Sequence, residues 1–328
     1  MSTSITRRIL MAGAPAAALA TSMNGSAMAQ SPAVASGVSG SQAPGFYRFK
    51  IGDIEVTAVN DGFARRPLDG FVRNAELDDV KKAMAERFLP TDALPIPFTT
   101  LVLRTGGKTV LIDTGNGDSG APTSGSWMAN FKAAGFDPAA IDTVVISHFH
   151  GDHINGMRLK DGTAVFPKAQ VLVPEAEWAF WMDDARQANP PEALKGGFAG
   201  VKRVFGPIAK DVERFADGKE VVPGVTAIAT PGHTPGHTSF RIASGDKALV
   251  AMSDVTNHPA LFVRNPDWSA VFDMDADMAR ATRRRMLEMA ATDKVQVSFY
   301  HAPFPATGHI AKEGSSYAFV PVQWMPVI

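Results

Sequence analysis

One short motif constrains this chain more than any other feature: residues 148–153 read His-Phe-His-Gly-Asp-His and directly follow an apolar, β-branched run. In an extended turn, residues two apart point the same way, so His148 and His150 can reach one ion. Asp152 and His153, one step further round the turn, would face a second ion beside it. The motif therefore predicts a metal site at the end of a buried strand.

Candidates for the remaining ligands follow other strand patterns. His233 lies in a turn rich in Pro and Gly, Asp254 ends an apolar run, and His301 follows another. A carboxylate such as Asp254 can bridge two cations and cancel part of their mutual repulsion. Because ligand sites form where strand ends converge on one edge of a sheet, these side chains are expected to meet.

Composition limits the chemistry of such a site. The chain has no cysteine and eight histidines, which excludes thiol nucleophiles, disulfides and iron–sulfur clusters. Two divalent ions held by His and carboxylates alone are compatible with zinc, manganese, cobalt or iron. With 32 basic and 33 acidic residues, the chain lacks a general attraction to nucleic acid, and no nucleic-acid partner is expected.

The first segment has the pattern of an export signal. Residues 1–29 contain the pair Arg7-Arg8, an apolar run and Ala27-Met28-Ala29, which resembles a twin-arginine signal with its cleavage site. The expected location is the periplasm. Residues 30–44, rich in Ser, Gly, Ala and Pro, are interpreted as a flexible lead-in, and 45–328 as a single domain. No run is long enough to span a membrane, for which about 20 apolar residues are needed.

From residue 46 onward, short β-patterned runs alternate with amphipathic segments, which predicts a layered α/β domain. Hairpins are expected around Gly52-Asp53 and Gly106-Gly107. Further strands are predicted at 141–147, 170–173, 225–230, 238–243, 248–252 and 295–300, and helices at 78–88, 127–134, 175–186 and 276–291.

Together, the motif and the later ligands resemble the metallo-β-lactamase fold superfamily, over essentially all of residues 45–328. Within it, the opening and closing segments are most similar to methyl parathion hydrolase. The resemblance implies an αββα sandwich with a dinuclear centre, of which zinc is the expected metal, and in which a metal-bridging hydroxide attacks the substrate. It implies one metal on His148, His150 and His233, a second on Asp152, His153 and His301, and Asp254 bridging them. Asp152 and Asp254 would be the catalytic carboxylates, Asp152 by aiming the hydroxide.

Three further residues are interpreted as supporting the ligands. His237, in the second Gly-His of the turn, would orient a ligand or the loop. Asp113, at the end of an apolar run, matches a position that braces the metal loops in the family. His309 is assigned a similar supporting or structural role. The same resemblance implies that Trp181, Phe198 and Phe272 lie in segments that line the substrate pocket.

The expected substrate is a small ester, lactone or organophosphate triester. Asp254 stands where true β-lactamases of this fold carry Cys or Ser, and Asn257 where one type of lactonase carries Tyr, so neither activity is specifically indicated. The alternatives are an iron-dependent dioxygenase with one metal, a β-lactam-hydrolysing member, or a non-catalytic exported protein stabilised by metal. Family resemblance also suggests a homodimer.

Overall fold

The computed structural model describes residues 42–328. The predicted export signal at 1–29, and residues 30–41 of the lead-in, lie outside the described residues. The first sheet has its strands in chain order: β1 (Phe46–Ile51), β2 (Ile54–Pro67), β3 (Ala93–Thr105), β4 (Lys108–Ile112), β5 (Thr143–Val145), β6 (Gln170–Pro174) and β7 (Glu213–Phe215).

The second sheet also contains seven strands, ordered from last to first. These are β8 (Glu220–Val222), β9 (Val225–Ala229), β10 (Thr238–Ser244), β11 (Lys247–Ser253), β12 (Gln296–Phe299), β13 (Thr307–Glu313) and β14 (Ser316–Pro321). The α-helices are α1 (Leu77–Ala85), α2 (Trp127–Ala133), α3 (Gly151–Ile154), α4 (Glu175–Trp181), α5 (Asp184–Ala188), α6 (Lys195–Phe205), α7 (Pro259–Phe262) and α8 (Ala276–Asp293). Short 3₁₀ turns occupy Pro138–Ala140, Asn155–Met157, Glu192–Leu194 and Gly206–Ile208.

Strands with apolar side chains on both faces require a covering layer on each side. In β4, Val110 and Ile112 point into the cluster between the two sheets, whereas Leu111 points into the cluster under α2, α4 and α6. In β11, Leu249 faces the cluster between the sheets and Val250 faces the cluster under α8. The layers are therefore helix, sheet, sheet, helix, which confirms the predicted αββα sandwich.

Strand direction explains why candidate ligands meet. Strands β4, β5 and β6 run parallel to one another, and so do β11 and β12. Because β9 and β11 are both antiparallel to β10, β9 runs in the same direction as β11. The carboxyl ends of β9, β11 and β12 consequently lie at one edge of the second sheet.

The two predicted hairpins form as expected. Ile51 pairs with Ile54 across one turn, and Thr105 pairs with Lys108 across the other. Gly106 and Gly107 have φ of 56° and 73°, which two-residue hairpin turns of this kind require and which other residues adopt only with strain.

Strands β2 and β3 extend beyond their other neighbours. Residues 63–67 of β2 pair only with residues 93–97 of β3, after a register shift between Asn60 and Phe63. We call this two-stranded extension the ribbon. Its paired residues Ala64 and Ile96 share a face with Phe98, because side chains two apart along a strand point the same way. The ribbon becomes one wall of the site described below.

Strands β7, β8, β13 and β14 were not predicted, and several helices deviated from the predicted boundaries. The segment predicted as one helix over 175–186 is two helices, α4 and α5, because the side chain of Asp183 caps the second. Helix α6 was not predicted, since three glycines lower its helix propensity. It forms because Phe198, Val201 and Phe205, spaced along one face, pack in the core. Within the described residues, no helix is both long and apolar enough to cross a membrane.

Candidate metal centre

All seven predicted metal ligands lie at strand ends or in the loops that follow them. Residues 148–153 follow β5, and His150 precedes α3, which carries Asp152 and His153. His233 follows β9, Asp254 follows β11, and His301 follows β12. Three groups have ligand atoms within 4.8 Å of one another: His148–His150–His233, His148–His153–Asp254 and Asp152–His153–His301.

Asp254 lies between the other ligands. Its Oδ1 is 3.3 Å from His153 Nε2, and its Oδ2 is 3.3 Å from His233 Nε2 and 3.0 Å from His301 Nε2. His153 and His301 Nε2 are each 3.6 Å from Asp152 Oδ2. One carboxylate thus contacts both sides of the cluster, as a bridging ligand must.

The arrangement fits two cations better than a metal-free core. His148 Nε2, His153 Nε2 and Asp254 Oδ1 are buried and have no hydrogen-bond partner. A buried polar atom without a partner costs about 1–3 kcal/mol, so three at one point indicate that a bound group satisfies them. Nitrogen and carboxylate oxygen are suitable donors for zinc and related ions.

Several site histidines are held neutral, as metal ligation requires. Burial lowers the pKa of His150 to about 3, and the neighbouring His233 adds to this effect. Burial, with His153 and His150 beside it, also lowers the pKa of His148 well below the usual value. Their ring nitrogens therefore offer lone pairs at neutral pH.

Other groups respond to the carboxylates in the cluster. Burial opposes protonation of His233, but Asp254 and Asp273 raise its pKa to about 9. Burial likewise disfavours the charged form of Asp254, yet His301, His153 and His233 hold its pKa well below the usual value. The centre is thus an alternating array of imidazoles and carboxylates, in which cations can replace protons.

Asp113 contacts the ligand loop directly. His153 Nδ1 donates to Asp113 Oδ2 at 2.8 Å, which leaves His153 Nε2 free to point at the cluster. Ser147 donates to the same carboxylate through its backbone nitrogen at 2.8 Å and its hydroxyl at 2.6 Å. Asp113 has a φ of 59°, and this strained conformation is held by these contacts. The structure thus places Asp113 where the sequence interpretation expected a brace.

Two residues that sequence analysis did not identify support other ligands. His233 Nδ1 donates to Asp273 Oδ1 at 3.0 Å, and Asp273 is in turn paired with the buried Arg283 at 3.2 Å. Tyr300, which is buried, donates its hydroxyl to the backbone oxygen of Asp152 at 2.6 Å. Asp273 is forty residues from its histidine, so spacing gives no signal. The only sequence signal for Tyr300 is its position directly before the candidate ligand His301.

His237 contacts the backbone that carries the central carboxylate. Its Nδ1 donates to the backbone oxygen of Thr230 at 3.1 Å, and its Nε2 accepts from the backbone nitrogen of Asp254 at 3.1 Å. It is fully buried, and burial together with His233 lowers its pKa to about 3. Because both ring nitrogens form hydrogen bonds to backbone atoms, His237 holds the backbone of Asp254 in place and has no nitrogen left for a metal.

His309 does not have the supporting role assigned from sequence. Its neighbours Gly308 and Ile310 on β13 are buried, and the alternation of side chains along a strand leaves His309 exposed on the other face. It lines a separate cleft with Lys50, Arg241 and residues of α8. None of the seven candidate ligands lines that cleft.

A cavity of about 590 Å³ opens onto the cluster. The ribbon side chains Ala64 and Ile96, with Phe98 and Phe272, form its apolar wall. Its polar lining includes five of the candidate ligands together with the side chains Arg65, Arg66, Asn116, Ser119, Asn155 and Asn257. Such a volume is typical of small-molecule sites.

Of the three predicted pocket aromatics, only Phe272 lines this cavity. Trp181 and Phe198 are 1% and 3% exposed and contact each other, with ring centroids 4.8 Å apart, within the helical layer over the first sheet. Their prediction as pocket residues is therefore wrong. The resemblance had placed them in pocket-lining segments, but here both side chains face the core rather than the site.

The family model of the metallo-beta-lactamase superfamily matches residues 96–297. The chain therefore belongs to the metallo-beta-lactamase superfamily. The dizinc quorum-quenching lactonase AidC, solved with a product, is 26% identical with a TM-score of 0.80, covering 86% of this chain and 98% of that one. Hydrolase AbOPH is also 26% identical, with a TM-score of 0.81, covering 87% and 100%.

Among curated proteins, an N-acyl homoserine lactonase from Bacillus sp is 25% identical over 232 residues, which is 65% of this chain and 84% of the relative. These matches, with the assembled His/Asp cluster, identify the chain as a metal-dependent hydrolase. The more specific resemblance to methyl parathion hydrolase stays a prediction, as does the homodimer.

Proposed function

We propose that this protein hydrolyses lactones and related carboxylic esters at a dinuclear zinc centre, with N-acyl homoserine lactones as the first substrate class to test. The observation that carries the proposal is the opening of one cavity with an apolar wall onto a cluster of seven His and Asp side chains. The similarity to a dizinc lactonase and to N-acyl homoserine lactonases supports the same substrate class.

Different residues of the cavity would serve the hydrolytic step and substrate binding. Two divalent ions, when bound, would lower the pKa of a coordinated water and polarise a carbonyl oxygen. The side chain of Asp152 is 23% exposed, while that of Asp254 is 3% exposed. Asp152 can therefore accept a hydrogen bond from a water in the cavity and direct it. The apolar wall at Ile96 and Phe98 excludes water from the acyl side of the substrate.

The substrate class is tested with protein whose zinc content has been measured. We expect turnover of an N-acyl homoserine lactone with a kcat/KM at least about tenfold above that for an aryl ester, a methyl parathion-type triester or a chromogenic β-lactam. Metal-free protein is the control. Faster cleavage of the β-lactam, or no cleavage of any lactone or ester by fully loaded protein, contradicts the proposal.

Phosphotriester hydrolysis is a second candidate. It is favoured by Phe98 and Phe272, which line the cavity and can pack against an aryl leaving group. The triester in the same screen tests it directly. Oxygen consumption by iron-loaded protein in place of hydrolysis would instead support the dioxygenase alternative.

We also propose that the protein is exported through the twin-arginine route, on the basis of Arg7-Arg8 and the small-residue site at 27–29. Changing both arginines to lysine is expected to leave at least about nine-tenths of the protein in the cytoplasm of a Gram-negative host, as measured by fractionation and immunoblotting. The matched control is lysine at Arg284 and Arg285, another adjacent pair. Normal periplasmic recovery of the Arg7/Arg8 variant would exclude this route.

A further inference from the structure

A buried carboxylate that the mechanism does not use lies behind the centre. The side chain of Glu177, on α4, is 0% exposed and accepts four hydrogen bonds. Its Oε1 accepts from the backbone nitrogen of Phe149 at 2.9 Å and from Trp181 Nε1 at 2.7 Å. Its Oε2 accepts from Thr234 Oγ1 at 2.9 Å and from the backbone nitrogen of Gly236 at 2.8 Å.

Three of these four donors belong to the two loops that carry the three-histidine group, His148, His150 and His233. Phe149 separates the first two histidines in the chain, and Thr234 directly follows the third. The carboxylate therefore joins the two loops, one through each oxygen.

The approach of the second loop to α4 is unusually close. A side chain at Gly236 would place its Cβ 2.0 Å from the backbone nitrogen of Glu177. Only glycine allows the turn to come within reach of the carboxylate. A buried charge costs several kcal/mol to desolvate, and an apolar residue would fill the same space without that cost. The hydrogen bonds of Glu177 therefore indicate that it holds the loops in position rather than simply filling space in the core.

We propose that Glu177 is a positioning residue that fixes the separation of these two loops and thereby sets the metal affinity of the three-histidine group. Ligands must be held in place by their surroundings to bind tightly, and loss of an outer hydrogen-bonding partner costs 10–100-fold in metal affinity in typical sites. The inference rests on the proposed dinuclear centre. It does not depend on which substrate the enzyme cleaves.

The test compares metal affinities of variants that remove different hydrogen bonds. Glu177→Gln turns one acceptor into a donor and is expected to weaken one of two zinc sites about 10–100-fold, with the other within about threefold of wild type. Thr234→Val removes one of the two bonds from the second loop and is expected to weaken the same site about 3–10-fold. Trp181→Phe is the matched control: it removes a bond from α4 itself, and both affinities should stay within about twofold.

Zinc is titrated into metal-free protein against a chromophoric chelator, and the visible spectrum of the cobalt-loaded protein reports changes at the site. Two zinc affinities and a cobalt spectrum equal to those of wild type in Glu177→Gln would overturn the proposal. So would equal weakening by Thr234→Val and Trp181→Phe, since that pattern indicates a general packing effect. If Glu177→Gln does not fold, the Thr234 and Trp181 variants decide the question alone. The readout uses no substrate, so failure of the lactonase proposal leaves it intact.

Discussion

Replacement of Asp254 by alanine is expected to reduce kcat/KM for the best lactone or ester by at least about 1,000-fold, which corresponds to about 4 kcal/mol of transition-state stabilisation. The reason is its position: the two oxygens of this carboxylate lie within 3.3 Å of three histidines on both sides of the cluster. Without it, two neighbouring cations lose their shared anion and repel each other. We expect fewer than two zinc ions per chain, measured by elemental analysis.

A control for this variant lies on the same hairpin. Asp246 is in the turn between β10 and β11, with its side chain 85% exposed, whereas Asp254 follows the other end of β11. Asp246→Ala should keep wild-type activity and metal content. Circular dichroism should show both variants folded. If folded Asp254→Ala retains more than about a tenth of wild-type turnover, Asp254 does not bridge the centre.

Removal of the metal is expected to abolish hydrolysis and to lower the stability of the protein markedly. Two sites that are each held at about 100 times their Kd in free zinc add about 5 kcal/mol to the free energy of unfolding. For a domain of this size, that corresponds to roughly 10 °C in Tm. Differential scanning calorimetry before and after treatment with a chelator measures the change. The protein is expected to lose stability because, without metal, the buried Nε2 atoms of His148 and His153 have no hydrogen-bond partner.

Reconstitution distinguishes a dinuclear centre from one with a single ion. Activity should return in proportion to added zinc and reach its maximum at two equivalents. Saturation at one equivalent would favour the mononuclear alternative. Hydrolysis that persists below about 0.1 equivalent of total metal would contradict metal dependence altogether. Asp254→Ala serves as the comparison, since its Tm should respond less to zinc than that of wild type.

The ligands and most strands were predictable because their signals are local, whereas β7, β8, β13 and β14 were not predicted. His148, His150 and His153 lie within six positions after an apolar strand, and strand direction brings the later ligands to the same edge. Boundaries were less predictable where one side chain decides them, as Asp183 does between α4 and α5. Helix α6 was missed because packing against the first sheet outweighs the low helix propensity of its glycines.

The supports of the site could not be predicted from spacing. Asp273 and Glu177 contact loops that are distant in the chain, so their roles depend on tertiary structure. His309 was misassigned because no strand was predicted around it, and side-chain alternation along β13 places it on the exposed face. The error for Trp181 and Phe198 has a different origin, since an apolar residue fits a pocket wall and a core equally well.

The ribbon has a consequence for how this enzyme can change over evolution. Its wall residues Ala64 and Ile96 come from strands that supply no metal ligand, so either residue can change without replacing a candidate ligand. Variation there can alter which substrate fits while the hydrolytic chemistry is retained. By contrast, Phe98 lines the cavity and also packs edge-on against the candidate ligand His301, with ring centroids 5.5 Å apart. A change at Phe98 would therefore affect both the cavity and the cluster. New specificities should therefore arise first at the outer end of the ribbon, and a mutational library restricted to it is a rational starting point for redirecting the enzyme.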